Sequence, residues 1–236
     1  MEFKFDKLII KTSCQLAVLV DPDKFDQELI RLLNYSNTAF ILVGGSKLKK
    51  GKVSTTVKAI KKLTKLPVIL FPGDESQLCK EADGLFVLSL LSGRNTEYLI
   101  EKHVRASQQI KKLKLATFPV AYVLVETGSK SETQKVTKTK PLSNHQTILN
   151  TALAAEQLGF KAVYLEAGSG SAKQVNAKLI KKVANAISIP LIIGGGVNGS
   201  KAALLLKKSG ANVVVVGNAL ENNLFLIHEL SKVFVY

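Results

Sequence analysis

The sequence predicts a (β/α)8 barrel, an α/β fold built as a single domain over residues 1–236. Eight short apolar runs read as parallel strands buried on both faces, because they are continuously apolar rather than alternating. Amphipathic stretches with helical spacing lie between them. The last three runs each lead into a glycine cluster: YLEAGSG at 164–170, IIGGGVNGSK at 192–201 and VVVVGNALEN at 213–222. In a barrel these clusters fall at the carboxyl ends of strands six, seven and eight, the face that carries the active site in this fold. A doubly wound open sheet is the competing architecture. It would grip phosphate mainly at its first glycine-rich turn, and the first turn here, Asp21-Pro22-Asp23-Lys24, has no glycine.

The strands follow in order. LAVLV (16–20), TAFILV (38–43), PVILF (67–71) and GLFVL (84–88) make the first half, and PVAYVLV (119–125), KAVYL (161–165), PLII (190–193) and ANVVVV (211–216) the second. Helical spacing links Leu29, Ile30, Leu32 and Leu33 after the first strand, and Val57, Ile60 and Leu63 after the second. It recurs in Leu99, Ile100, Val104 and Ile110 after the fourth, and in Leu179, Ile180, Val183 and Ile187 after the sixth. Gly159 suits the end of the helix before strand six, and Ser200 is expected to cap a helix that stops at Gly210. Pro67 and Pro190 start strands as helices finish. The stretch 126–146 is polar, rich in serine and threonine, and long for a barrel connection. It is expected to be a mobile cover, with Gly128 and Lys130 approaching substrate; plain disorder is the other reading.

Composition narrows the function. No uninterrupted apolar stretch is long enough to span a bilayer, and MEFKFDKLIIKTS lacks the apolar core and cleavage site of a secretory signal. With only Cys14 and Cys79, a reducing, cytoplasmic location is expected. The 33 basic and 18 acidic side chains give +15, but lysine pairs such as Lys61-Lys62, Lys111-Lys112 and Lys181-Lys182 fall on helical patterns, where a solvated face explains them. There is no tryptophan, RNA-binding aromatic motif or zinc-finger spacing, so no nucleic-acid partner is expected. A basic surface would still favour diphosphates or peripheral contact with anionic lipid. His103, His145 and His228 form no ligand spacing.

The glycine clusters carry the chemistry. Without a Cβ, glycine lets backbone N–H groups approach an oxyanion, and a helix start just beyond adds its positive dipole end. Three such turns suggest one shared phosphate site. Asp21 follows the first strand and Gly44-Gly45-Ser46 the second, so adjacent barrel strands would bring them together. A carboxylate and a hydroxyl, completed by water and diphosphate oxygens, suit Mg²⁺, which prefers few protein ligands. Asp-Pro-Asp also suits a plain type I turn. Glu166, at the end of strand six, is the candidate base, with a loop anchor as the alternative. Tyr164 alternates with it on one side of the strand, toward the barrel mouth or into ordinary core packing. Phe40, Phe71, Phe86, Leu88, Phe118, Tyr122 and Leu124 are available to an apolar groove, but apolar strand residues are more often core and none is assigned to it.

LVDPDK with GGS, then YLEAGSG, then GGGV and GN, resemble the ordered signature of the geranylgeranylglyceryl phosphate synthases and their bacterial heptaprenylglyceryl phosphate relatives, across essentially the whole chain. The resemblance implies a Mg²⁺-dependent prenyltransferase that joins sn-glycerol 1-phosphate to a prenyl diphosphate, geranylgeranyl diphosphate by default, through an ether bond. By motif, Asp21 and Ser46 would hold Mg²⁺, and Tyr164, Leu165, Glu166, Ala167, Gly168, Ser169, Gly170, Gly195, Gly196, Gly217 and Asn218 would bind glycerol phosphate. It also implies a homo-oligomer. The first strand departs from the pattern: Ala17 to Val20 are all apolar where some relatives carry a basic or polar residue. A longer prenyl donor, another phosphate-barrel enzyme and a non-catalytic phosphate- or lipid-binding barrel remain as alternatives.

Overall fold

The computed structural model describes residues 4–128 and 130–235. Its strands are β1 (Gln15–Val20), β2 (Thr38–Val43), β3 (Val68–Leu70), β4 (Gly84–Leu90), β5 (Ala116–Leu124), β6 (Ala162–Glu166), β7 (Leu191–Gly194) and β8 (Val213–Val216). Each pairs in parallel with the next, and β8 closes on β1, where Val18 aligns with Val216. The predicted (β/α)8 barrel is the observed fold.

Strand side chains alternate between two apolar cores. Phe40, Phe86, Val120, Tyr164 and Ile192 point into the barrel. Ile41, Val123, Leu165 and Ile193 point outward, against the helices. Those helices are α2 (Gln27–Leu33), α3 (Val53–Leu63), α4 (Lys102–Leu113), α6 (His145–Gln157), α7 (Ala177–Ala184), α8 (Ser200–Lys208) and α10 (Leu226–Val233), with short α1 (Phe5–Leu8), α5 (Glu132–Thr137) and α9 (Asn218–Asn222). At the amino-terminal end of the strands Phe5 lies 5.3 Å from the Phe118 ring, and Gln15 holds the turn after α1 by accepting from Ile10 N and donating to Leu8 O. Asp26, Asn144 and Asn176 cap α2, α6 and α7 through their side chains.

The β3–β4 crossover is unlike the others: it carries one 3₁₀ turn, Glu75–Gln77, instead of a helix. The outer layer is therefore interrupted beside β4, between α3 and α4.

Three expectations are corrected. Ser200 is the first residue of α8 and Gly199 its N-cap; the Ser200 hydroxyl is 3.4 Å from Glu229 instead. A π turn, Glu97–Glu101, precedes α4 and rotates its face, leaving Ile100 and Val104 exposed while Leu99, His103, Ala106 and Ile110 turn inward. For the stretch 126–146 it is the plain-disorder reading that is set aside. The stretch contains α5, rejoins the sheet where Leu142 bridges Val125, and enters α6 at His145; its Ser129 lies outside the described residues.

Candidate active site

At the carboxyl ends of the strands the loops enclose a cavity of about 940 Å³. Its glycine-lined end is formed by the loops after β6, β7 and β8, through Ser169 to Ser171, Gly195 to Asn198 and Gly217 to Ala219. Gly195 and Gly196 adopt φ of +80° and +69°, the left-handed region that favours glycine. A Cβ on Gly195 would overlap Glu166, and one on Gly196 would overlap the Lys173 backbone. The loops are tied together: the Asn218 side-chain oxygen accepts from Ser169 Oγ (3.1 Å) and Gly170 N (3.3 Å). Asn218 also donates to Glu221, which receives Lys24 Nζ at 2.6 Å from the β1 loop.

Glu166 lies beneath this end, 6% exposed. Burial pushes its carboxyl up to about 7, while hydrogen bonds from Gly168 N (2.6 Å) and the Tyr164 and Tyr122 hydroxyls pull the other way. The two tyrosine rings stack with centroids 5.2 Å apart, and Gly194 leaves the space that the Tyr164 hydroxyl fills. Tyr164 thus packs in the barrel interior and presents its hydroxyl to the site. A buried carboxyl titrating near neutrality and reached by two hydroxyls can exchange a proton with a substrate hydroxyl.

Asp21 and Ser46 line the cavity from the loops after β1 and β2, and β1 adjoins β8. One Asp21 oxygen accepts from Asp23 N at 2.9 Å, capping the 3₁₀ turn Pro22–Lys24. The turn reading of Asp-Pro-Asp is therefore present, and among the described residues no hydrogen bond falls on the second Asp21 oxygen. Asp23 is a loop anchor, accepting from the backbone of Lys49, Lys50 and Gly51. Burial, then the Asp23 and Glu221 carboxylates, raise the Asp21 pKa against the Asp23 backbone bond and Lys24. A divalent cation would relieve that crowding, and one carboxylate oxygen plus one hydroxyl suits magnesium completed by water and diphosphate oxygens. The donor set fits the ion. Gln77, 1% exposed, supports the Ser46 loop by accepting from Gly45 N (3.2 Å) and donating to Gly45 O (2.7 Å).

From this polar floor the cavity continues into an apolar groove through Phe71, Phe86, Leu88 and Tyr122 and out past Leu85, Val87, Ala106 and Ile110, beside the missing crossover helix. Of the residues available to such a groove, Phe40, Phe118 and Leu124 do not line it and serve the barrel interior. His103 lines it with Nε2 3.0 Å from Ser89 Oγ.

The structure brings Asp21, Ser46, Tyr164, Glu166, Ser169, Gly170, Gly195, Gly196, Gly217 and Asn218 to one cavity. Leu165 and Ala167 do not reach it. Their side chains pack in the outer core, because neighbours on a strand face opposite sides, and the Ala167 amide and carbonyl are taken by Gly194 O and Thr127 Oγ1. Gly168 acts from behind, through its bond to Glu166. Lys130 lines the cavity and Gly128 does not. Gln77 and Thr133 went unnoticed in the sequence; each is a polar residue 32 and 87 positions from its partner, Gly45 and Ser46, so no local pattern marks it.

Relatives share this frame. A geranylgeranylglyceryl phosphate synthase of Zunongwangia profunda is 44% identical over 220 residues, covering 89% of this chain and 92% of that protein. One of Pyrococcus furiosus is 38% identical over 212 residues, covering 87% and 84%. The crystal structure of (S)-3-O-geranylgeranylglyceryl phosphate synthase from Thermoplasma acidophilum, in complex with substrate sn-glycerol-1-phosphate, superposes with a TM-score of 0.86 at 31% identity and covers 94% of this chain and 93% of its own. The family model described as the PcrB family matches residues 9–234, and the chain belongs to that family.

Proposed function

We propose that this protein is a Mg²⁺-dependent prenyltransferase that joins sn-glycerol 1-phosphate to geranylgeranyl diphosphate and releases diphosphate. One observation carries the reading: a single cavity joins a glycine-lined phosphate end, a buried carboxyl at Glu166 and an apolar groove long enough to leave the barrel beside β4. The names of the relatives point the same way.

In this reading the loops at Ser169, Gly195, Gly196, Gly217 and Asn218 hold the phosphate of the acceptor through backbone N–H groups and the serine and asparagine side chains. Glu166 receives the proton of the acceptor hydroxyl as the new carbon–oxygen bond forms and the bond to diphosphate breaks. Tyr122 and Tyr164 hold its carboxylate in place. Asp21 and Ser46 would hold Mg²⁺, which when bound neutralises charge on the departing diphosphate. The groove takes the hydrocarbon chain and keeps water from the allylic carbon.

The test is incubation with Mg²⁺, geranylgeranyl diphosphate and either sn-glycerol 1-phosphate or its 3-phosphate enantiomer, read by mass spectrometry. An ether product from the 1-phosphate alone is expected. No product from folded protein with prenyl donors of several lengths would overturn the reading. Asp21→Asn, which keeps the turn-capping oxygen, should remove the Mg²⁺-dependent turnover and leave the thermal midpoint nearly unchanged. Full activity in that variant would refute the metal assignment.

A further inference from the structure

Helix α5 and the residues flanking it are anchored beside the site at three places. The N-cap Ser131 is buried where any Cβ on Gly168 would overlap it, Tyr98 donates its hydroxyl to Val136 O at 3.2 Å, and Thr139 packs on Gly93. Between these anchors Thr133 turns into the cavity with Oγ1 3.2 Å from Ser46 Oγ. The same hydroxyl hydrogen-bonds Tyr122, which in turn hydrogen-bonds Glu166. Each hydroxyl has one proton to donate and lone pairs to accept with. With the Tyr122 proton directed at the carboxylate, Tyr122 accepts from Thr133, and Thr133 accepts from Ser46. The donors then run in one direction, from the β2 loop through α5 and β5 to β6.

We propose that Thr133 is a positioning residue that ties α5 to both sides of the cavity, completing a hydroxyl chain Ser46–Thr133–Tyr122–Glu166 that orients the Glu166 carboxylate. Its role in turnover rests on the reading of Glu166 as base. The chain explains a threonine where α5 needs only packing: aligned hydroxyls polarise one another, and a buried carboxylate gains from each donor that stands behind its own. Because Ser46 is at one end, the cover, the donor side and the base side hold their geometry together. The groups that act on Glu166 are Tyr122, Tyr164 and the Gly168 N–H, with no charged side chain among them, so its protonation responds to this chain.

Thr133→Val and Thr133→Ser, made in the full chain, test the proposal by hydrogen–deuterium exchange and by pH-dependent kinetics with Mg²⁺, geranylgeranyl diphosphate and sn-glycerol 1-phosphate. Thr133→Val should speed exchange of the amides in 134–139 by about tenfold while β6 is unaffected. It should lower kcat by roughly 10- to 100-fold, leave KM for the acceptor within about threefold, and move the acid limb of the profile to higher pH. Thr133→Ser keeps the hydroxyl and should restore all of these. Unchanged exchange in Thr133→Val overturns the tie. A serine variant as impaired as the valine one, or a lower kcat with an unmoved acid limb, overturns the hydroxyl chain. A wild type that makes no ether product defeats the prenyltransferase reading separately, and the exchange result still decides whether Thr133 fastens α5.

Discussion

Glu166 is ionised only in part at neutral pH, because burial raises its carboxyl to about 7 against three hydrogen bonds that favour the charge. In its proposed role as base Glu166 must be deprotonated to act, so kcat/KM should rise as pH increases through about 7 and level off above it. Glu166→Gln should flatten that limb and lower kcat more than it raises KM; equal losses would make Glu166 an orienting group. Stability runs the other way. The folded-state pKa lies above the unfolded one, so the neutral carboxyl contributes stability fully below the unfolded value and loses it as pH rises through the folded value. Glutamine has no charge to bury, so Glu166→Gln should gain on the wild type between pH 5 and pH 8, by up to about 3 kcal/mol. Thermal midpoints at the two pH values check this, and a constant difference would mean that the folded carboxyl titrates normally. Gly195 bears on the same atom. At φ +80°, with a Cβ directed onto the Glu166 carboxylate, Gly195→Val should cost about 1–3 kcal/mol and weaken sn-glycerol 1-phosphate binding measured by calorimetry; unchanged affinity would remove Gly195 from the proposed phosphate site.

Single loops carry the next level of control. The Gly44-Gly45-Ser46 loop is held by Gln77, which satisfies both the amide and the carbonyl of Gly45 and is itself buried in the one crossover without a helix. Gln77→Leu leaves those two backbone groups without partners, at a cost of about 1–3 kcal/mol each if water does not enter. It should therefore lower the thermal midpoint and raise the Mg²⁺ concentration needed for half-maximal turnover; an unchanged Mg²⁺ requirement would show that Ser46 keeps its place unaided. This loop also marks where the sequence ceases to be readable. Strands were legible because doubly buried parallel strands are continuous apolar runs, and their ends moved by only a few residues, as at Val68 and Leu191. The glycine turns were legible because backbone conformation demands glycine locally. The α4 face was not: a π turn displaced the period, so Ile100 and Val104 lost the inward positions to His103 and Ala106. Leu165 and Ala167 were carried in with a motif, yet a strand can offer only every second side chain to the cavity. Gln77, Thr133 and the hydroxyl of Tyr122 act through partners on other strands, which only the closed barrel brings near.

Across the whole molecule, barrel closure and one missing helix together shape the cavity. Closure packs Phe40, Phe86 and Phe118 as edge-to-face rings inside the strands, with Phe40–Phe86 centroids 6.4 Å apart, so the interior itself has no room for a long hydrocarbon. The route that remains is lateral, past β4, where the 3₁₀ turn Glu75–Gln77 stands in for a helix and Ala106 on α4 provides the narrow side chain facing the groove. Ala106 is 7% exposed and far in sequence from Glu166 and from the glycine loops. Ala106→Trp should therefore fill the groove without touching the glycine-lined end. With geranylgeranyl diphosphate, kcat/KM should fall by about 10-fold or more, since a lost apolar contact area and a steric block act together, each worth about 1–3 kcal/mol. With a short donor such as dimethylallyl diphosphate, whose chain ends before the groove, turnover should stay within about threefold of the wild type, and sn-glycerol 1-phosphate affinity should not change. Equal losses with both donors would place the hydrocarbon elsewhere; loss of the long donor alone would fix the exit beside β4 as the seat of the prenyl tail.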